Sequence, residues 1–234
     1  VGTVTVHDAT GHALYTRRHG RMPSAYPNEL CAVMLGDVLA LQSKAPDIKF
    51  GILCDGAHEL WALLEPWFNK ETLGRPPYRL VDLWHLTEKL GSAAKVLFSC
   101  KVEVESAMSR WKLGLLNSSG RVMRILDELT KSGKEHIAVG ESRPVHDAIT
   151  YINNHHERMD YATAKRAGLA VGSGNVEATC KSLVAMRMKR PGARWKEQTG
   201  EHILHLRGLV LSDLWDGGMR RMFESMSTSV RRAA

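Results

Sequence analysis

Strand-forming and helix-forming patterns occupy different parts of this chain, and this division constrains the fold most. Before residue 84, short runs of β-branched and apolar residues alternate with amphipathic segments. Residues 101–168 show no strand pattern and instead carry apolar side chains at helical spacing, as at Val104, Met108 and Trp111. A chain of this kind predicts an α/β core interrupted by an all-helical insertion.

Turn residues and prolines set the predicted element boundaries. Residues 3–6 and 13–16 flank a turn-forming segment at 8–11, which predicts a hairpin. A helix is predicted to begin at Pro27 and to end at Pro46. The remaining patterns predict strands at 48–54 and 78–83 and helices at 57–68, 86–97, 175–188 and 196–211. The strand at 48–54 is nearly all apolar, as expected for a buried central strand.

These elements predict a chain of four parts. Residues 1–85 form the first part of the core, and residues 86–168 form the helical insertion. Residues 169–216 return to the core as helices, and residues 217–234 form a basic tail that we expect to be loosely packed.

Composition narrows the classes of function without choosing one. The net charge of +7 and the pI of about 9.3 suit a nucleic-acid partner or another anionic surface. The sequence has no run of eighteen apolar residues, so we expect no membrane span. Its four cysteines are far apart and form no C-x-x-C, so neither a zinc knuckle nor a disulfide framework is indicated. Unpaired cysteines suit a reducing compartment, and we expect a cytoplasmic protein. The motifs GxxxxGK(S/T), GxGxxG, GxSxG and HExxH are absent, which argues against the enzymes that use them.

Two carboxylates are candidates for a metal-dependent active site. Asp55 follows the predicted strand at 48–54, and catalytic groups in α/β sheets gather at such carboxyl ends. Glu177 lies in the first turn of a helix that begins after Gly172-Ser173-Gly174. Together they could share Mg²⁺ ions, although their spacing does not show that they meet. The alternative is that each residue only caps a helix.

A basic run follows Glu177. Residues 178–196 contain six Lys or Arg and no acid, namely Lys181, Arg187, Lys189, Arg190, Arg194 and Lys196. Such a run suits contacts with DNA phosphates. The alternative is a solvated helix face without a partner.

Three further polar residues have less specific settings. Asp82 and His85 close the predicted strand at 78–83 and could bind a metal, position a carboxylate or hold a DNA backbone. We favour a structural hydrogen-bonded pair for these two residues. Asp8 could be an acid of the site, but its Asp-x-x-Gly setting favours a turn residue.

These segments together resemble the DDE transposases of bacterial insertion sequences, most closely the ISKra group. The segment around Glu177 with its basic continuation is the most specific part, and the resemblance covers nearly the whole chain. The matching stretches are VGTVTVHDATG at 1–11, CDGA at 54–57, VDLWH at 81–85, GSGNVEA at 172–178, RMKR at 187–190 and LSDLWD at 211–216.

The resemblance implies an RNase H-like mixed sheet flanked by helices, with three acids that bind Mg²⁺ or Mn²⁺. Asp55 matches the second acid and Glu177 matches the third. The first acid belongs on a strand that precedes Val1, so we expect a fragment that lacks it, and we expect that Asp8 does not replace it. The Asp82-x-x-His85 pair resembles a signature of related transposases with a DNA-positioning or structural role.

The implied activity is metal-dependent phosphodiester hydrolysis and strand transfer at insertion-sequence ends. The implied partners are double-stranded DNA of the transposon ends and the target, together with further copies of the chain on that DNA. Two alternatives stay open at this point. One is a catalytically inactive DNA-binding remnant of a transposase, and the other is an RNase H-like nuclease without strand transfer.

Overall fold

A computed structural model describes residues 1–23, 27–189 and 191–233. It shows a mixed α/β protein, which confirms the predicted class, and its strands form two separate two-stranded sheets. The chain divides into two compact units. We call Val1–Val6, Ala13–Pro46 and Gly174–Ala234 the terminal unit, and His7–His12 and Asp47–Ser173 the central unit.

The terminal unit contains the predicted hairpin. Strands β1 (Gly2–His7) and β2 (Ala13–His19) pair with each other, and their connection is too short for a parallel crossover. Helix α1 (Pro27–Lys44) packs on this hairpin through an ion cluster in which Arg17 and His19 of β2 contact Asp37. The His19 Nε2 to Asp37 Oδ2 distance is 2.8 Å. The hairpin and the helix that begins at Pro27 are therefore confirmed.

One continuous helix of the terminal unit is not α-helical throughout. It consists of α9 (Gly174–Thr179), a π-helical segment (Cys180–Ala185) and α10 (Met186–Met188). A π-helical turn leaves carbonyl groups without their usual α-helical donors. Arg207 of α11 (Glu197–Leu211) supplies donors here, because its guanidinium bonds Leu183 O at 3.1 Å and also Ser182 O.

Helix α11 also covers part of the free edge of β2. The backbone N–H of Arg18 donates to Ser212 Oγ at 2.9 Å, and the hydroxyl of Tyr15 donates to Ser212 O at 2.5 Å. Gly208 allows the close approach, because a Cβ at this position would lie 2.8 Å from Arg18 O. The predicted helix at 196–211 is thus confirmed and protects a sheet edge.

The predicted tail beyond residue 216 is helical. Helix α12 spans Trp215–Ala233, and Met222, Phe223 and Met226 are exposed on it. None of the helices in the described residues combines the length and apolar character needed to cross a lipid bilayer.

The central unit contains a short parallel sheet. Strands β3 (Gly51–Cys54) and β4 (Tyr78–Val81) pair in parallel, with Cys54 opposite Val81. Helices α2 (His58–Leu64) and α3 (Lys70–Leu73) connect them. The prediction of a buried central strand at 48–54 is wrong in two respects. The described strand begins only at Gly51, and it pairs with β4 alone among the described strands. Of its four residues, only Cys54 is buried.

Helices form the rest of the central unit. They are α4 (Leu83–Leu97), α5 (Lys101–Asn117), α6 (Arg121–Lys131), α7 (Pro144–His155), a 3₁₀ turn (His156–Arg158) and α8 (Tyr161–Arg166). The helices predicted for residues 101–168 are present, whereas residues 132–143 between α6 and α7 are not helical and contain an isolated antiparallel bridge between Val139 and Ser142. Burial of apolar side chains is the main force that holds these helices together. The largest core side chains include Trp111, Ile125, Leu129, Ile152 and Tyr161.

Candidate functional site

Asp55 lies at the carboxyl end of β3 and is exposed. Its Oδ1 accepts a hydrogen bond from the backbone N–H of Ala57 at 3.0 Å. Gly56 between them has a φ of 88°, a left-handed conformation that favours glycine. The N-cap residue of α2 is Ala57, so Asp55 forms a turn before the helix and does not cap it. The structure therefore presents one carboxylate to solvent at a strand end.

Two side chains of α7 contact the turn at Asp55 and Gly56. The Tyr151 hydroxyl donates to Asp55 O at 3.1 Å, and the rings of Tyr151 and His155 lie edge to face with centroids 4.8 Å apart. Burial raises the pKa of Tyr151, and the nearby charges of Asp55 and Asp82 raise it further, so the hydroxyl stays a donor at neutral pH. Burial lowers the pKa of His155, and the charge of Arg158 adds to this, which favours the neutral ring.

Asp82 follows β4 as Asp55 follows β3, but it is fully buried. Its N–H donates to Cys54 O at 2.8 Å, and its carboxylate accepts hydrogen bonds from Trp84 N at 2.8 Å and from the Ser173 hydroxyl. Asp82 is thus the N-cap of α4 and holds the end of the segment that leads into α9.

The predicted pairing of Asp82 with His85 is wrong. His85 lies in the first turn of α4, and its Nδ1 is 3.5 Å from Glu88 Oε2. The N-cap geometry explains this difference, because it turns the Asp82 carboxylate toward the free N–H groups of the helix start. The structural role favoured for Asp82 agrees with these contacts, but its side-chain partner is Ser173.

Parallel pairing brings Asp55 and Asp82 to the same edge of the small sheet. Cys54 and Val81 are partners in the register, so the two aspartates follow neighbouring strand ends. Their environments differ, since Asp55 is exposed whereas Asp82 is enclosed and engaged by two donors. Burial raises the pKa of the neighbouring Cys54 thiol to about 11, which keeps it protonated at neutral pH. Asp55 is therefore the aspartate of this edge that is accessible to a ligand.

Glu177 lies in the first turn of α9 and is exposed. Side chains on either side of it are held in place, because Asn175 Nδ2 donates to Thr5 Oγ1 at 3.4 Å and Thr179 Oγ1 donates to Asn175 O at 2.6 Å. Glu177 belongs to the terminal unit and Asp55 to the central unit, so their convergence stays a prediction.

The predicted metal site also stays a prediction. Within residues 1–23, 27–189 and 191–233, no three His, Cys, Asp or Glu side chains are grouped so that they could hold a metal ion. Asp8 has a different role, because its Oδ1 accepts hydrogen bonds from Thr10 N at 2.8 Å and His12 N at 3.0 Å. These bonds confirm that Asp8 is a turn residue.

The described members of the basic run are exposed. Lys181 lies in the π-helical segment, Arg187 lies in α10, and the remaining three precede α11; they are Lys189, Arg194 and Lys196. Arg190 lies outside the described residues. Exposed cations at this density can neutralise phosphate charges, but their exposure alone is equally compatible with a solvated face.

Sequence reasoning missed Tyr151, His155 and Ser173 as neighbours of the strand-end aspartates. The Gly-Ser-Gly turn was a local signal for Ser173, whereas nothing near Tyr151 in the sequence points to Asp55, which lies 96 residues away. Comparisons of the chain with protein-family models, with curated proteins and with solved structures find no match.

Proposed function

We propose that this chain is the catalytic part of a DDE transposase of bacterial insertion sequences, similar to the ISKra group, with an RNase H-like fold. The observation that carries the proposal is the exposed Asp55 carboxylate at the end of a parallel strand, where α/β proteins place catalytic acids. The segment around Glu177 supports it, since an exposed glutamate opens a helix that continues into exposed cations.

Asp55 and Glu177 have the ligand chemistry that Mg²⁺ and Mn²⁺ prefer, because both present carboxylate oxygens to solvent. When bound, such ions lower the pKa of an attacking water and stabilise the leaving oxygen of a phosphodiester. In this proposal Asp55 and Glu177 would hold the cations, as the second and third of the three acids that the family implies. The acids of the chain thereby orient water, and later a DNA 3′-hydroxyl, for in-line attack on a phosphodiester.

The basic run then holds the DNA backbone. Contacts from Lys181, Arg187 and Lys189 to phosphates would fix the register of the DNA without reading its sequence. The proposed partners are the transposon ends, the target DNA and further copies of the chain assembled on that DNA.

The test is a cleavage and strand-transfer assay on DNA that carries the ends of the element. It uses the natural full-length protein, with Mg²⁺ or Mn²⁺. We expect Asp55→Asn and Glu177→Gln each to abolish cleavage while DNA binding is retained. Glu105→Gln is the matched control, because Glu105 is an exposed carboxylate of α5 outside the proposed site.

The products separate the proposed function from its alternatives. Joined products of strand transfer support a transposase, whereas cleavage without joining would assign the chain to nucleases of similar fold. DNA binding with no cleavage by the natural full-length protein would indicate an inactive remnant. Cleavage that survives both Asp55→Asn and Glu177→Gln would refute the assigned site.

A further inference from the structure

The turn that carries Asp55 is held by a helix that lies far beyond it in the sequence. Tyr151 of α7 donates its hydroxyl to Asp55 O at 3.1 Å. Gly56 packs against the same helix, because a Cβ there would lie 3.2 Å from Tyr151 Oη and 3.3 Å from His155 Nε2. Helix α7 therefore contacts the backbone of Asp55, the proposed catalytic acid, and of Gly56.

Asp55 is restrained through its backbone and through its side chain. Its carbonyl oxygen accepts from Tyr151, and its Oδ1 accepts from Ala57 N. The left-handed φ of Gly56 lets the chain turn between these two contacts. Rotation of the peptide that joins Asp55 and Gly56 would move the carbonyl away from Tyr151 and disturb the bond to Ala57 at the same time.

We propose that Tyr151 is a positioning residue for Asp55, because its hydroxyl fixes the peptide after Asp55 and thereby the direction of the Asp55 carboxylate. This inference rests on the proposed function, in which that carboxylate binds a divalent cation. It gives α7 a role in the site. The helical segment in which α7 lies orients an acid that precedes it in the chain.

Tyr161 provides a matched control for a change at Tyr151. Tyr161 belongs to the same unit and is buried, but its hydroxyl has no hydrogen-bond partner among the described residues. Tyr161→Phe removes a tyrosine hydroxyl, as Tyr151→Phe does, but it removes no hydrogen bond to the turn at Asp55. A difference between the two variants therefore reports the bond to Asp55 and not the general loss of a buried hydroxyl.

The first measurement is the NMR spectrum of the full 234-residue chain labelled with ¹⁵N. The amide of Gly56 shares its peptide with the Asp55 carbonyl, and the amide of Ala57 donates to the Asp55 carboxylate. We expect Tyr151→Phe to shift the Gly56 signal and to speed hydrogen exchange at Ala57. We expect Tyr161→Phe to leave both signals as in the unsubstituted chain.

The second measurement is the affinity of the same chains for Mn²⁺, followed by electron paramagnetic resonance. Loss of groups that orient a metal ligand weakens metal binding about 10-fold or more, so we expect the Mn²⁺ Kd of Tyr151→Phe to rise by about 10-fold. Tyr161→Phe should keep the original Kd, and Asp55→Asn should show the loss expected when the ligand itself is removed. The thermal unfolding midpoint of each variant verifies that the chains are folded.

Identical Gly56 signals and identical Mn²⁺ affinities in Tyr151→Phe and Tyr161→Phe would overturn the inference. A shifted Gly56 signal with unchanged Mn²⁺ affinity would also overturn it when Asp55→Asn does weaken binding, because the contact would then be structural only. If Asp55→Asn leaves the Mn²⁺ affinity unchanged, Asp55 does not bind the cation, and this part of the proposed function is refuted. The Gly56 and Ala57 signals alone then decide whether Tyr151 orients the turn.

Discussion

The contact between Asp82 and Ser173 makes a quantitative prediction about the stability of the central unit. Asp82 has an exposed fraction of 0%, and its carboxylate accepts from the N–H of Trp84 and from the Ser173 hydroxyl. Asp82→Ala removes the N-cap of α4, which costs about 1 kcal/mol, and a charge-assisted hydrogen bond worth about 1.5–3 kcal/mol. We therefore expect the free energy of unfolding to fall by about 2.5–4 kcal/mol.

The partner residue and the conservative substitution give further expected values. Ser173→Ala leaves the buried carboxylate with one donor fewer, and we expect a loss of about 1.5–3 kcal/mol. Asp82→Asn keeps an oxygen that can accept from the helix N–H, so its loss should be only about 1 kcal/mol. The double variant Asp82→Ala/Ser173→Ala loses the shared bond once. Its loss should therefore fall short of the sum of the single losses by about 1.5 kcal/mol or more.

Urea unfolding followed by tryptophan fluorescence measures these losses, since the central unit contains Trp61, Trp67, Trp84 and Trp111. Ser106→Ala is the matched control, because Ser106 is exposed on α5 and its loss should stay within about 0.5 kcal/mol. If the losses of the two single variants add in the double variant to within about 0.5 kcal/mol, Asp82 and Ser173 are not coupled and the reasoning is refuted.

Three further predictions concern the terminal unit and the DNA contact. Gly208→Ala should destabilise the chain by about 1–3 kcal/mol, because the new Cβ would lie 2.8 Å from the backbone oxygen of Arg18. Gly36→Ala should instead stabilise the chain by about 0.5–1 kcal/mol, because Gly36 lies in α1 and a Cβ there would have nothing within 4 Å. Urea unfolding midpoints of the two variants measure both effects. Burial opposes ionisation of Asp37, but Arg17 and His19 outweigh burial and hold the pKa of Asp37 below 3.8. The ionised Asp37 carboxylate therefore stabilises the folded chain above about pH 4, and this stabilisation is lost as the pH falls through the lowered pKa. Asp37→Asn should remove this part of the acid sensitivity, as urea midpoints at a series of pH values would show. Lys181→Gln should lower the salt slope of DNA binding by about one, whereas Lys112→Gln on α5 should leave it unchanged, and fluorescence anisotropy at several salt concentrations measures both.

Local elements of this fold could be predicted because their signals lie within a few residues. The hairpin follows from strand patterns on both sides of a turn, and Asp8 does bond to the turn backbone as its spacing indicated. The helix at Pro27 follows from a proline at its first position. The helical character of residues 101–131 and 144–166 follows from apolar residues at helical spacing.

The sheets could not be predicted in the same way, because strand pairing depends on distant parts of the chain. The apolar run at 48–54 indicated a strand of that length with neighbours on both sides, but pairing with β4 covers only Gly51–Cys54. No local pattern tells how many partners a strand obtains. The parallel register that places Asp55 beside Asp82 was therefore a finding of the structure.

The same difference between local signals and contacts of distant residues applies to the candidate site. Asp55 could be identified because an Asp-Gly pair directly follows an apolar run. The side chains that hold the strand-end aspartates could not, since Tyr151 and Ser173 are far from their partners in sequence. The predicted Asp82–His85 pair was wrong because helix capping competes with pairing between neighbouring side chains. The role of Arg190 stays a prediction, since it lies outside the described residues.

The π-helical segment Cys180–Ala185 has a consequence for the evolution of this chain. A π-helical turn closes over one residue more than an α-helical turn, so a single-residue deletion in this segment can convert it to α-helix. The deletion would then change the angle between Glu177 and Arg187 about the helix axis by much less than the about 100° expected for a deletion within an α-helix. The carbonyl groups that Arg207 now bonds would regain α-helical donors. We therefore expect a deletion of one residue to be tolerated better in this segment than in an α-helix of the same chain.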